Sequence, residues 1–165
     1  MKRLHLHIST SDMDVTKRFY TALFGQAPTV DHPDYMKWML DDPNVNIAVS
    51  QRDGATRGVD HVGIQVDSDE ALEELNSALQ AAEQSTLAEP GANCCYANSN
   101  KHWTRDPQGV VWEMFHTMSG APTYGCDMRD GEDWDEAVTN PIPDAAGKHV
   151  SLAASRGGCC TSQAE

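Results

Sequence analysis

The sequence lacks any apolar run of the ~18 residues that a membrane-crossing helix requires, and it is short of positive charge. Lysine and arginine total 12 against 25 aspartates and glutamates, a formal net charge of −13 over 165 residues. The first shortage argues against a membrane span. The second argues against a binder of the nucleic-acid backbone, which needs a basic face. No apolar h-region follows the basic pair of "MKRLHLHIST", so this segment does not read as a signal peptide and the chain reads as cytoplasmic. A disulfide framework is missing as well. The cysteines are Cys94, Cys95, Cys126, Cys159 and Cys160, an odd number that includes two adjacent pairs, and adjacent cysteines bridge poorly. In a reducing compartment they are thiols. What remains is a protein that handles small molecules, built as one domain or two small repeated units.

The repeat is visible. In "LHLHISTSDMDVTKRFYTAL", Leu4, Leu6 and Ile8 alternate with His5, His7 and Ser9, which is strand periodicity. Ser11 or Asp12 offers an N-cap. Val15, Phe19, Ala22 and Leu23 then recur at helical spacing, with Tyr20 and Phe19 read as core residues, and Gly25 ends the helix. A shift of 56 positions lays "DHVGIQVDSDEALEELNSAL" on this pattern, with His61 on His5, Val62 on Leu6 and Ile64 on Ile8. "DDPNVNIAV" is echoed by "RDPQGVVWE" at a shift of 64, so the second copy has gained about eight residues, in an interval that contains "NCCYANSN". Each copy reads strand, helix and three short strands: "APTV", "YMKWML" and "NVNIAVS", then "STLAE", "CCYAN…KHWTR" and "GVVWEMFHT". The expected fold is α+β, two βαβββ modules over about 1–55 and 56–120. Residues 121–165 hold eight acids against three bases and are rich in Gly and Pro, which reads as a flexible acidic tail or a loosely docked strap.

His5 and His61 hold matched places in the first strand of each module. In the last strand Val111, Glu113, Phe115 and Thr117 share one face. Side-by-side modules would bring His5, His61 and Glu113 to one cavity. Two imidazoles and a carboxylate are the facial triad of non-haem Fe(II) sites, and Zn(II), Ni(II) or Mn(II) also accept them. His7 lies on the same strand face as His5 and competes with it. Glu113 could instead pair with Arg105.

"LHLHISTSDMDVTKRFYTALFG", "DHVGIQVDS" and "RDPQGVVWE" resemble the vicinal oxygen chelate superfamily, which includes glyoxalase I, bleomycin-resistance proteins and extradiol dioxygenases. "CCYANSNKHW" ahead of "RDPQG" resembles, more narrowly, the organoarsenical carbon–arsenic lyases and their cadmium-induced relatives. The resemblance covers residues 1–120. It implies paired βαβββ modules forming a metal-holding cup. It also implies an Fe(II)-dependent, dioxygenase-like cleavage of the C–As bond in trivalent organoarsenicals, methylarsenite or aromatic, with O2 as co-substrate and arsenite as product. On the matching positions it makes His5, His61 and Glu113 the catalytic metal ligands, and Cys94 and Cys95 the arsenic-binding thiols. Some relatives carry glutamine where this chain has His5.

The residue types fit that chemistry. Trivalent arsenic is soft and thiolates are soft ligands. A methylated As(III) has two exchangeable positions, which two neighbouring thiols can fill. Lys101 or His102 is a candidate to lower the thiol pKa or cover the loaded site. Gly91, Asn98, Ser99 and Asn100 suggest a loop that acts as a lid. Cys94 and Cys95 also read as two reduced strand thiols, one buried and one exposed. Cys159–Cys160 reads as a capture pair or a reactive tail, and Cys126 as a bystander. Two other functions share the cup: sequestration of As(III) or Cd(II) without turnover, and a glyoxalase-type isomerase or thiol transferase, which needs no vicinal thiols. A homodimer is compatible with all three.

Overall fold

Residues 1–126 are described in a computed structural model of the chain; the expectations placed on residues 127–165, including Cys159 and Cys160, lie outside the described residues. The elements are β1 (Arg3–Ser9), α1 (Met13–Phe24), β2 (Val30–Asp31), β3 (Tyr35–Asp41), β4 (Asn44–Ser50), β5 (Gly58–Val66), α2 (Asp69–Ala81), β6 (Leu87–Cys94), β7 (Ala97–Arg105) and β8 (Val111–Gly120). The βαβββ order appears twice. All eight strands form one curled sheet in the order β2-β3-β4-β1-β5-β8-β7-β6. The halves join through the antiparallel β1–β5 pair, while β1–β4 and β5–β8 are parallel. One chain therefore closes the cup by itself. No helix among the described residues is long and apolar enough to cross a membrane.

Alternation sets which residues face the cup. On β1, His5, His7 and Ser9 are buried on the concave side, and Leu6 and Ile8 turn to the convex side under α1. There Trp38, Met36, Leu40, Val45, Ile47 and Val49 form the first core. Val66, Leu72 and Met114 form a smaller one under α2. Asp12 caps α1 by accepting from the Val15 N–H, and Gly25 ends it at φ 68°. Ser68 caps α2 in the same way.

The face expected for α1 is corrected. Phe19 and Leu23 are 60% and 61% exposed, and Val15 is exposed too. The helix docks instead through Met13, Tyr20 and Phe24, with Tyr20 and Phe24 against the Trp38 indole. The helix carries two neighbouring apolar stripes, and the ring contacts with Trp38 select one of them.

The "NCCYANSN" segment is a hairpin rather than a loop. Asn98, Ser99 and Asn100 lie within β7, and Gly91 sits at a bulge of β6 with φ 65°. Residues 121–126 run back along it: the Cys95 N–H donates to the Tyr124 carbonyl, Ala121 N–H to Tyr96, and Cys126 N–H to Asn93. This pairing on both sides is what orders the segment.

Candidate functional site

Cross-strand register assembles the site. Gly63 on β5 stands opposite His5 on β1 and opposite Glu113 on β8. A Cβ on Gly63 would lie 2.2 Å from the Glu113 backbone oxygen, so only glycine fits. The absent side chain lets strands carrying His5 and Glu113 close on one space, with His61 two residues away. His5 Nε2 and His61 Nε2 lie 3.4 and 3.3 Å from the same oxygen, Oε2 of Glu113. All three residues are buried.

The protons on the imidazoles follow from their partners. His5 Nδ1 donates to the Asn46 backbone carbonyl at 3.1 Å, and His61 Nδ1 donates to Asp60 Oδ1 at 2.6 Å. Neither acceptor can donate, so Nδ1 carries a proton in both rings. Burial pulls His5 down to about 4 against the opposing pull of Glu113, so its ring is neutral near pH 7. Burial alone would raise Glu113. Lys101, followed by His61 and His5, overcomes that and holds the carboxyl well below its ordinary range. The His5 Nε2 lone pair, Nε2 of His61 and a carboxylate oxygen thus converge on one space. Two imidazoles and a carboxylate, the imidazoles backed by fixed acceptors, form a donor set that divalent first-row metals accept.

Lys101 Nζ binds the other Glu113 oxygen at 2.6 Å and lies 5.2 Å from the Trp103 ring centre. The sequence reading placed it with the substrate; here its partner is Glu113. Arg105 is not that partner. His7 remains part of the cluster: His5, His7 and His61 bring one ring nitrogen each within 4.8 Å of one another, and His7 Nε2 shares a hydrogen bond with Ser50 Oγ at 2.8 Å. His102 faces away from the cup, to Glu73 of α2.

The thiols open onto the same space. A small cavity open to solvent is lined by His5, His61 and Glu113 and also by Cys94 and Cys95. Both cysteines are free thiols, Cys94 buried and Cys95 partly exposed, with Sγ atoms 2.8 Å apart. Cys95 and Tyr96 form the two-residue turn of the β6–β7 hairpin, both at φ 60°. Such turns favour Asn-Gly, and the left-handed conformation is costly for these residues. Tyr96 is held in it by stacking on His32, ring centres 3.7 Å apart, and by donating its hydroxyl to Asp34 at 2.8 Å.

Sequence reasoning missed Lys37, Asp60 and Tyr35. Lys37 and Tyr35 line the cavity from β3. Burial lowers Lys37 and the charge of Cys95 pushes it back up, which brings a cation within electrostatic reach of the thiols. The signal was available: Tyr35, Lys37 and Met39 alternate with the apolar Met36, Trp38 and Leu40.

The family model described as the Glyoxalase/Bleomycin resistance protein/Dioxygenase superfamily matches residues 2–114. The trivalent organoarsenical cleaving enzyme of Bacillus sp. (strain MD1) is 35% identical over 121 residues, 72% of this chain and 75% of that protein. The cadmium-induced protein CadI of Mycobacterium tuberculosis (strain ATCC 25618 / H37Rv) is 28% identical over 80% of this chain and 90% of its own. Among solved structures, the Mn(II)-bound glyoxalase from Novosphingobium aromaticivorans has a TM-score of 0.52 at 19% identity. It covers 86% of this chain and 46% of that one, a likeness of fold.

Proposed function

The chain belongs to the glyoxalase/bleomycin resistance protein/dioxygenase superfamily, and from that premise we propose that it cleaves the C–As bond of trivalent organoarsenicals and releases arsenite, using Fe(II) and O2. One observation carries this reading: two imidazoles and a carboxylate line the same cavity as a vicinal thiol pair. The similarity to an organoarsenical cleaving enzyme supports it.

In this reading His5, His61 and Glu113 hold the iron, which supplies dioxygen binding and redox chemistry when bound. Cys94 and Cys95 bind the substrate: their two thiols replace the two hydroxyls of methylarsenite, releasing two waters and leaving the As–C bond intact. The hairpin turn aims both sulfurs into the cavity, so substrate is held in one orientation beside the ligand set. Lys101 holds one oxygen of Glu113 and leaves the other turned to the imidazoles. Lys37 supplies positive charge that favours the Cys95 thiolate, the nucleophilic form.

The test is to load the protein anaerobically with Fe(II), add methylarsenite and O2, and follow arsenic speciation. Iron-dependent arsenite over many turnovers is expected. Cys95→Ser should keep iron and lose arsenical binding. Stoichiometric binding without arsenite, with every metal tried, would sink the lyase reading. It would favour a thiol-based As(III) or Cd(II) sequestering protein, a reading that rests on the vicinal Cys94–Cys95 thiols.

A further inference from the structure

Residues 60 and 61 are neighbours on a strand and should point to opposite faces. They do not behave so here. The β1–β5 register runs His7↔His61 and then Ile8↔Val59, which leaves Asp60 as the extra residue of a β-bulge. Bulges re-aim side chains beside sites. This one turns the Asp60 carboxylate onto His61, with Oδ1 2.6 Å from Nδ1. The second oxygen is held by Arg52 Nη2 at 2.7 Å and by the Ser9 hydroxyl at 3.4 Å. His5 has no such backing. Its Nδ1 meets only a neutral carbonyl, that of Asn46. Position 60 corresponds in the first repeat to Leu4, so the first half carries no equivalent acid.

We propose that Asp60, braced by Arg52, is a positioning residue that fixes His61 as the stronger of the two imidazole ligands. A carboxylate behind Nδ1 both locks the tautomer and increases the electron-donating power of Nε2. Arg52 in turn fixes which carboxylate oxygen faces the ring, because a guanidinium only donates. The inference rests on the reading of His5, His61 and Glu113 as metal ligands.

Asp60→Asn tests it in an unusual way. Arg52 can accept nothing, so the amide must turn its oxygen to Arg52 and its NH2 to His61. That donor forces the proton of His61 onto Nε2 and blocks ligation. Co(II) affinity, measured by competition with a chromophoric chelator, should fall about 10–100-fold. Arg52→Ala alone should cost less. Adding Arg52→Ala to Asp60→Asn frees the amide to turn its oxygen to His61 and should restore part of the affinity, which a purely structural role would not do. Independently of any variant, imidazole 15N shifts of the metal-free protein should show His61 protonated at Nδ1 only. The opposite tautomer, or Asp60→Asn that binds Co(II) like the unaltered protein, would overturn the role of Asp60. Unaltered protein that takes up no Co(II) or Fe(II) would sink the metal reading itself.

Discussion

The two halves place one row of three residues at equivalent positions, and the rows differ at every place. In the first half His7 stands beside Ala48, and Ala48 beside Lys37. In the second, Gly63 stands beside Glu113, and Glu113 beside Trp103. An imidazole, a methyl and an ammonium face an empty position, a carboxylate and an indole. The scaffold tolerates both because the convex faces carry separate apolar cores. The concave faces are thereby freed for polar groups apart from the small cluster of Trp103 with Leu87 and Val111, and one carboxylate between two histidines is all that a facial ligand set needs. The histidines His5 and His61 are matched between the halves, and only the second row places a carboxylate beside them.

The largest effect is expected where the second row is made to resemble the first. Glu113→Ala removes the carboxylate that lies 2.6 Å from the buried Lys101 ammonium. Removing one member of a buried pair costs about 3–5 kcal/mol. We expect a large fall in the urea midpoint together with loss of metal uptake in a chelator-competition titration. A Lys101→Met change in the same chain should return stability and leave metal uptake lost. If Glu113→Ala binds Co(II) undiminished, the carboxylate is not a ligand and His7 takes its place in the cluster.

Protons perturb the histidines next. His5, mainly through burial, is lowered from 6.5 to about 4 in the folded chain, and His7 is lowered well below its ordinary value for the same main reason. A lowered histidine pKa means that below about pH 6.5 the unfolded chain binds protons the folded chain refuses. Stability therefore falls as pH drops from about 6.5 towards about 4, by on the order of 3 kcal/mol for His5; His7 acts in the same direction. Urea unfolding of metal-stripped protein at about pH 7 and about pH 4.5 measures it, with His5→Gln expected to flatten the slope. A slope that His5→Gln leaves untouched would assign the effect elsewhere.

Much of this was legible before the structure. The period-2 alternation put His5 and His7 on one face and Glu113 with Phe115 and Thr117 on another, and the repeat aligned His5 with His61. The order of elements along the chain followed from the repeated βαβββ pattern, whereas their order across the sheet did not. Three things were not legible, each for a physical reason. The buried stripe of α1 depends on which ring meets Trp38, and both stripes are apolar. The role of Asp60 depends on a register slip, and alternation alone would send it to the wrong face. The "NCCYANSN" hairpin needs a turn at Cys95–Tyr96, and no Gly or Asn marks that position; its support comes from Tyr124 and from a turn more than sixty residues away.

That distant support is a second comparison between the halves, and the most delicate to test. The β2–β3 turn and the β6–β7 turn are equivalent in the repeat, and they touch across the mouth of the cup: His32 stacks on Tyr96, and Asp34 accepts its hydroxyl. The first turn carries no chemistry of its own and serves to hold the second, whose strained residues carry a thiol. Tyr96→Phe keeps the ring stack and deletes the hydroxyl alone. Since Asp34 is only half-buried, the loss should be about 1 kcal/mol. The effect should concentrate at the turn. Alkylation of Cys95 by iodoacetamide should speed up several-fold while metal uptake stays as before. Tyr96→Ala, which removes the stack as well, should do more of both. Unchanged thiol reactivity in both variants would mean that the hairpin holds its own turn, through Tyr124 and the β6–β7 ladder, and that the first half contributes nothing to the thiols' placement.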